Sequence, residues 1–474
     1  MTFTADRPSS TAEAFEEFKK KFPSYDDTSK LDELRSSEYG RLDELGHVYV
    51  DYTGAGMYAA SQVKSHADFL LSSALGNPHS SNPTSMEANE RVEKCRKRVL
   101  EFFNADPDEY LMVYTANASH GLKLIGESYP FESGGKFALT FDNHNSVNGI
   151  REFARSHGAA IEYVPVLPPD LRLAEDRLLE TLQSADPDQD NLFAFPAQSN
   201  FSGVKHPLAW IEKAQQLGWD VMLDAAAFAP TNRLDLSLWH PEFVVLSFYK
   251  MFGYPTGVGA LLAKKSALGK LRRPWFAGGT ITVASVQADR YFLHAGSEAF
   301  EDGTLNYTSF PAVDIGLDFL DSIGMDVIQK RIECLVGWLL EQFESLKHEN
   351  GEPLVRIYGP QVVDARGGTV AFNVYDSSGN TVDHLTVEAL ANESKISLRT
   401  GCFCNPGAGE AALGLGKDEI VGCLAGPGAR MTLDEFRQCI DEKSTGAVRV
   451  SLGIASNFED VDTVIRFFKT FLNK

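Results

Sequence analysis

Two short blocks hold the residues best suited to chemistry: Asp224-Ala-Ala-Ala-Phe228 and Ser247-Phe-Tyr-Lys250-Met-Phe-Gly253. Asp224 closes the apolar run DVMLD and Lys250 follows the apolar run FVVLSF, so both stand where buried strands end. In a parallel sheet ligands collect beyond the carboxyl ends of the strands, which lets both side chains reach one crevice. A lysine there invites Schiff-base chemistry, and a carboxylate opposite it invites a protonated pyridine nitrogen. Pyridoxal phosphate requires that combination: an amine for its aldehyde carbon, and an acid partner that keeps the ring an electron sink. By itself the pair also fits a helix-capping aspartate and a surface lysine.

Three further strand ends carry groups of the same kind. Thr115-Ala-Asn-Ala-Ser-His-Gly121 joins the run LMVYT to a helix, where free backbone N–H groups and the Ser119 hydroxyl can cradle a phosphate. His144 follows the run KFALTF and can lie flat on a cofactor ring, although a lone histidine also serves structure. Pro196-Ala-Gln-Ser-Asn-Phe-Ser-Gly203 follows NLFAF and offers Gln198 or Asn200 to a ring hydroxyl. Cys402 and Cys404, one residue apart, read by themselves as a pair of half-buried structural thiols. With no second Cys or His pair nearby, they make a poor metal site.

The elements that must position these groups follow from periodicity. A first helix is expected from about Ser10, with capping-box spacing to Glu13 and Phe15, Phe18 and Phe22 on one face. From about residue 85 helices alternate with short apolar runs at 111–115, 136–141, 191–195, 220–224, 243–248 and 259–263. Such runs read as buried strands of a mostly parallel sheet, an α/β architecture with helices on both faces. A long helix around Val327, Cys334, Trp338 and Phe343 leads to a smaller α+β region with strands near 354–358, 368–374 and 447–452 and a last amphipathic helix. The expected division is an N-terminal helical segment over 1–48, a large cofactor-binding domain over 49–315 and a small C-terminal domain over 316–474.

Composition narrows the partners. The 474 residues include 44 Lys and Arg against 65 Asp and Glu, a formal charge of −21. So acidic a surface repels phosphate backbones and anionic membranes, which argues against nucleic acid and lipid surfaces. Apolar runs fall short of the roughly 18 residues a membrane span needs, and the N-terminus lacks the pattern of a secretory signal. Six cysteines are too few for a disulfide scaffold, so a reducing, cytoplasmic compartment is expected.

DNHNSVNGIRE, PAQSNFSGV, LDAAAF, SFYKMFGYPTGVGALL, AGGT, FEDGT and LRTGCFCNPGA together resemble the class V aminotransferase superfamily of fold-type I pyridoxal-phosphate enzymes. Within it the sequence is most similar to the cysteine-desulfurase-like domain of molybdenum cofactor sulfurases, from about Tyr49 to the C-terminus. The resemblance implies Lys250 as the cofactor lysine, Asp224 as the pyridinium partner and His144 as a stacking, proton-relaying group. It implies Ala118, Ser119, Ser247 and Tyr249 around the phosphate, with Thr280 completing the phosphate pocket of a partner subunit in a homodimer. Arg449 matches the residue that grips a substrate α-carboxylate, and Cys404 the sulfur acceptor on a mobile loop. Gly401, Gly407 and Gly409 are expected to give that loop its flexibility, with Asn405-Pro406 favouring a turn over a helix.

The implied activity takes sulfur from L-cysteine or a related amino acid as a persulfide on Cys404, releases alanine and passes the sulfur to an unknown acceptor. The alternatives are another pyridoxal-phosphate reaction on an amino acid (C–S lyase, epimerase or decarboxylating carbon–carbon bond former) or a partner protein without turnover. The sequence also departs from the sulfurase pattern. It stops at Lys474, before an expected acceptor-binding domain, has Gly409 where a third loop cysteine often stands, and has Ala225-Ala-Ala227 where simpler desulfurases place a polar group.

Overall fold

A computed structural model describes residues 11–425 and 446–474, together with Met431, Thr432 and Glu435. Seven strands, β1 (Tyr110–Thr115), β2 (Lys136–Thr140), β3 (Ala160–Val164), β4 (Asn191–Pro196), β5 (Trp219–Asp224), β6 (Phe243–Ser247) and β7 (Gly259–Lys264), form one sheet. Their order is β1-β7-β6-β5-β4-β2-β3. Strand β7 is antiparallel to both neighbours, and the other pairs are parallel. Every residue of β4 and β6 is buried, because core clusters fill both faces of the sheet. That explains why these strands read as unbroken apolar runs. The expected fold-type I α/β architecture is therefore present.

A second sheet is antiparallel. Strands β8 (Val355–Tyr358), β9 (Thr369–Val374), β10 (Arg399–Gly401) and β11 (Ala447–Ser451) lie in the order β8-β9-β11-β10. The helices Met325–Ser345 and Phe458–Lys469 cover it. Phe372 of β9 meets Phe343 at 4.8 Å and Phe468 at 5.0 Å between ring centroids. The strand pair Val48–Tyr49 and Ile396–Ser397 is parallel, and Asp51 bridges to Ser451, so the chain touches the small sheet before two helices lead it into the large one.

The N-terminal helix spans Thr11–Lys21, and Ser10, the expected cap, lies outside the described residues. Phe18 packs on Trp338 at 5.8 Å and on Phe458 at 5.0 Å, so the phenylalanine face has the partner its spacing calls for. Arg331 ties the following turn down. Its guanidinium donates to Thr28 Oγ1 at 2.6 Å, to the Tyr25 hydroxyl at 2.6 Å and to both Asp32 oxygens at 2.6 and 2.8 Å. Arg331→Ala strands the buried Thr28 and Tyr25 acceptors and is expected to lower the unfolding free energy by about 3 kcal/mol. Lys330→Ala, which removes an exposed pair with Asp27, should cost less than about 1 kcal/mol. Urea midpoints of the two variants check the contrast.

Candidate active site

Strand β6 runs straight into the helical turn Phe248–Phe252, which carries Lys250 and ends at Gly253 with φ +79°. A Cβ at Gly253 would stand 2.3 Å from the Tyr58 nitrogen, so this turn, which fixes the direction of Lys250, needs glycine. Strand β5 pairs with β6 through Asp224↔Val245, which brings Asp224 to the same sheet edge. Asp224 Oδ1 accepts the Ala226 N–H at 2.9 Å and is thereby held at the strand end.

One cavity of about 140 Å³ gathers Ala118, Ser119, His144, Gln198, Asn200, Asp224, Ser247, Tyr249 and Lys250, along with Asn117, Leu122, Pro196, Ala226 and Ala227. At one end the helix Ala118–Ser128 begins, capped by Asn117, whose side chain accepts the His120 N–H. The Ser247 hydroxyl accepts the Ala118 N–H at 2.8 Å, and Ser119 and Ser146 share a 2.6 Å hydroxyl contact. Gln198 is steadied by Asn232, which donates to its Oε1 at 3.2 Å. The donor set fits pyridoxal phosphate at three points. A helix N-terminus with serine hydroxyls suits the phosphate, Lys250 suits the aldehyde carbon, and Asp224 suits the ring nitrogen.

The electrostatics favour proton traffic. Burial pulls Lys250 below the ordinary lysine range; Asp224 opposes that, and Arg449 reinforces it. Burial also lowers His144, against the pull of Asp224 and with the push of Lys250 and Arg449. His144 Nδ1 accepts the Ser146 N–H at 3.1 Å, which assigns the ring proton of the neutral imidazole to Nε2.

Arg449, on β11, lies beside the cavity rather than in its lining. Its Nη2 donates to Asp51 Oδ1 at 2.8 Å and its Nη1 to the Asn200 carbonyl at 2.9 Å. Its guanidinium covers the Phe403 ring at 4.7 Å, and its buried Nε has no partner among the described residues. Arg399 donates to the other Asp51 oxygen at 2.7 and 2.9 Å. Two guanidiniums thus share one carboxylate, and the surplus positive charge suits an anionic substrate group. Asp51 and Arg399 escaped the sequence reading. Arg399 stands within the quoted LRTGCFCNPGA block, where its nearness to Cys404 was the available signal.

Cys404 also lies outside the cavity lining, on the segment that leaves β10. Cys402 and Cys404 are exposed and free. Part of the segment is helical where a turn was expected. Asn405 accepts the Ala408 N–H and Pro406 opens the helix Pro406–Leu413, so Asn-Pro starts a helix here instead of a turn. Gly407 and Gly409 lie inside that helix. A Cβ at Gly407 would meet the Phe141 carbonyl oxygen at 1.9 Å, so this glycine permits close packing and supplies no hinge. Thr280 is buried away from its own chain's cavity, with its hydroxyl bonded at 2.9 Å to Ala277.

Asp51→Ala leaves the nearly fully buried Arg449 without its carboxylate and should destabilise the fold by about 3 kcal/mol. Arg399 is half exposed, and Arg399→Ala should cost under about 1 kcal/mol. Urea unfolding of both variants separates the buried ion pair from the exposed one.

The model of the family described as Aminotransferase class-V matches residues 48–464. Molybdenum cofactor sulfurase of Solanum lycopersicum is 36% identical over 489 residues, covering 96% of this chain and 59% of its own length. The Homo sapiens molybdenum cofactor sulfurase is 36% identical over 460 residues, covering 92% of this chain and 51% of its own. The chain therefore spans a little over half the length of these relatives. The apo structure of the cysteine desulfurase from Thermococcus onnurineus superposes with a TM-score of 0.76 at 23% identity, over 93% of this chain and 98% of that one, and shows the shared fold. With the lysine, the carboxylate and the phosphate cradle at one sheet edge, the chain belongs to the class-V aminotransferase family of pyridoxal-phosphate enzymes.

Proposed function

We propose that this chain is a cysteine desulfurase unit, which moves sulfur from L-cysteine onto Cys404 and releases alanine. The observation that carries this reading is a free, exposed cysteine whose backbone is tied to the cavity's own Asn200 and to the residue after His144. The Asn145 N–H, next to His144, donates to the Cys404 carbonyl at 2.7 Å, and Asn200 Nδ2 donates to the Phe403 carbonyl at 2.7 Å. A lyase or an epimerase has no use for a thiol held there.

Each residue then has a task. Arg449 binds the substrate α-carboxylate, its burial making the contact strong and its bonds to Asp51 and Asn200 fixing its direction. Lys250, kept below its usual basicity, takes the Cα proton and returns it. Pyridoxal phosphate, when bound, supplies the electron sink for charge developing at Cα. His144 holds a proton on Nε2 over the cavity and stays neutral near pH 7. The Cys404 sulfur attacks the substrate Sγ; the Cβ–Sγ bond breaks and its electrons end in a new C–H bond of alanine. The sum is L-cysteine plus Cys404–SH giving alanine plus Cys404–S–SH.

Residues 49–315 supply the cofactor groups, and residues 316–474 supply Arg449 and Cys404, which supports reading them as two cooperating domains. In a homodimer Thr280 would reach the partner's phosphate site only after its hydroxyl, fully buried and bonded to Ala277 in this chain, turns outward. Cys95, Cys334, Cys402 and Cys404 are free thiols, as a reducing cytoplasm would keep them, whereas Cys423 is disulfide-bonded. No helix among the described residues is long and apolar enough to cross a membrane.

Alanine release from L-cysteine tests the reading. Cys404→Ala should retain the cofactor's visible absorbance and lose alanine release, whereas Lys250→Ala should lose both. Arg449→Ala removes a charge-assisted contact worth about 3 kcal/mol and should raise KM for L-cysteine on the order of 10²-fold. Undiminished alanine release by Cys404→Ala would refute the assignment.

A further inference from the structure

Cys404 itself is exposed, but both of its neighbours are buried. The Phe403 ring packs against Phe201 at 5.3 Å and under the Arg449 guanidinium, and Asn405 is fully buried. Phe403 and Cys404 both adopt left-handed backbone, with φ +55° and +56°. Residues other than glycine persist in that region where the surroundings over-determine them. The over-determining group here is the Asn405 amide. Its Oδ1 caps the helix Pro406–Leu413, while its Nδ2 donates to the Asp142 carbonyl at 2.6 Å and to Asn200 Oδ1 at 2.8 Å. Its own N–H closes a turn on the Cys402 carbonyl at 2.9 Å.

The acceptors are themselves rigid. Asp142 is fixed by a buried pair with His206 at 2.9 Å. Asn200 donates its Nδ2 to Phe403 and gives its carbonyl to Arg449. The residue that receives Asn405 therefore also orients the arginine assigned to the substrate carboxylate. Substrate anchor and acceptor thiol are both referred to Asn200, one through its backbone and one through its amide.

We propose that Asn405 is a positioning residue for sulfur transfer: it latches the segment around Cys404 to Asn200 and so sets the thiol in register with the substrate held by Arg449. This inference rests on the desulfurase reading above. A thiol released from the latch keeps its chemistry but loses its approach geometry, and a displacement near 1 Å can cost on the order of 10²-fold in rate.

Asn405→Ser separates the latch from the cap, since serine still caps a helix but is too short to reach Asp142 and Asn200. In the cofactor-loaded enzyme we expect alanine formation from L-cysteine to fall on the order of 10²-fold in kcat, with KM and the cofactor's visible absorbance unchanged. Peptide-level hydrogen exchange over residues 401–405 should accelerate at least about tenfold relative to wild type, a readout independent of turnover. Wild-type kcat together with wild-type exchange in Asn405→Ser would overturn the proposal, as would a parallel rise in KM with kcat preserved. Should the variant fold poorly, wild-type protein decides. The latch requires the Asn405 N–H, bonded to the Cys402 carbonyl, to be protected from exchange, and exchange of that amide at the rate of an exposed loop would refute it. Absence of alanine from wild-type enzyme would count against the desulfurase reading, while the exchange comparison still judges the latch.

Discussion

Lys250 and Asp224 face one cavity because two adjacent parallel strands, β5 and β6, end together, and the rest of the site depends on that register. Pairing Asp224 with Val245 leaves the lysine a helical turn beyond the strand end, close enough to feel the carboxylate and only partly open to water. Burial favours the uncharged amine and Asp224 favours the ammonium, so the two effects leave a group able both to take up and to give back a proton. A one-residue slip of either strand would turn its end residues to the opposite face of the sheet. The fully buried β4 and β6, paired on either side of β5, make such a slip costly.

The small sheet contributes what the large one lacks. Its strands carry Arg449 and Arg399, and the chain passing from the N-terminal segment into the large sheet carries Asp51 between them. One carboxylate shared by two guanidiniums leaves the locality positive, which opposes the strongly acidic whole and suits an anionic group. Asn200, at the end of β4's following turn, is where the contributions meet. It lines the cavity, bonds to Arg449 through its carbonyl and bonds to the cysteine segment through its amide. The cavity and the cysteine segment are therefore joined by hydrogen bonds.

Much of this was legible in the sequence where burial was symmetrical. The central strands are enclosed on both faces and read as apolar runs, and the polar residues that interrupt the chain just beyond them are the ones lining the cavity. Strand β3 does not read as an apolar run because it is an edge strand with only its last residue, Val164, buried. The hairpin Ile281–Ser285 and Arg290–Leu293 was missed for the same reason. Asp51 and Arg399 are separated by 348 positions, and no local pattern announces an ion pair of that range. Asn405-Pro406 was misread because Asn-Pro opens turns and helices alike. Only the Phe141 carbonyl, packed against Gly407, shows why a helix fits there.

The account stands or falls on where the sulfur goes. Cofactor-loaded protein mixed with one equivalent of L-cysteine, without reductant, can be digested and its cysteine peptides weighed. The account predicts one added sulfur atom on the peptide carrying Cys404, with alanine formed in equal amount. An unmodified Cys404 beside sulfide released to solution would contradict it.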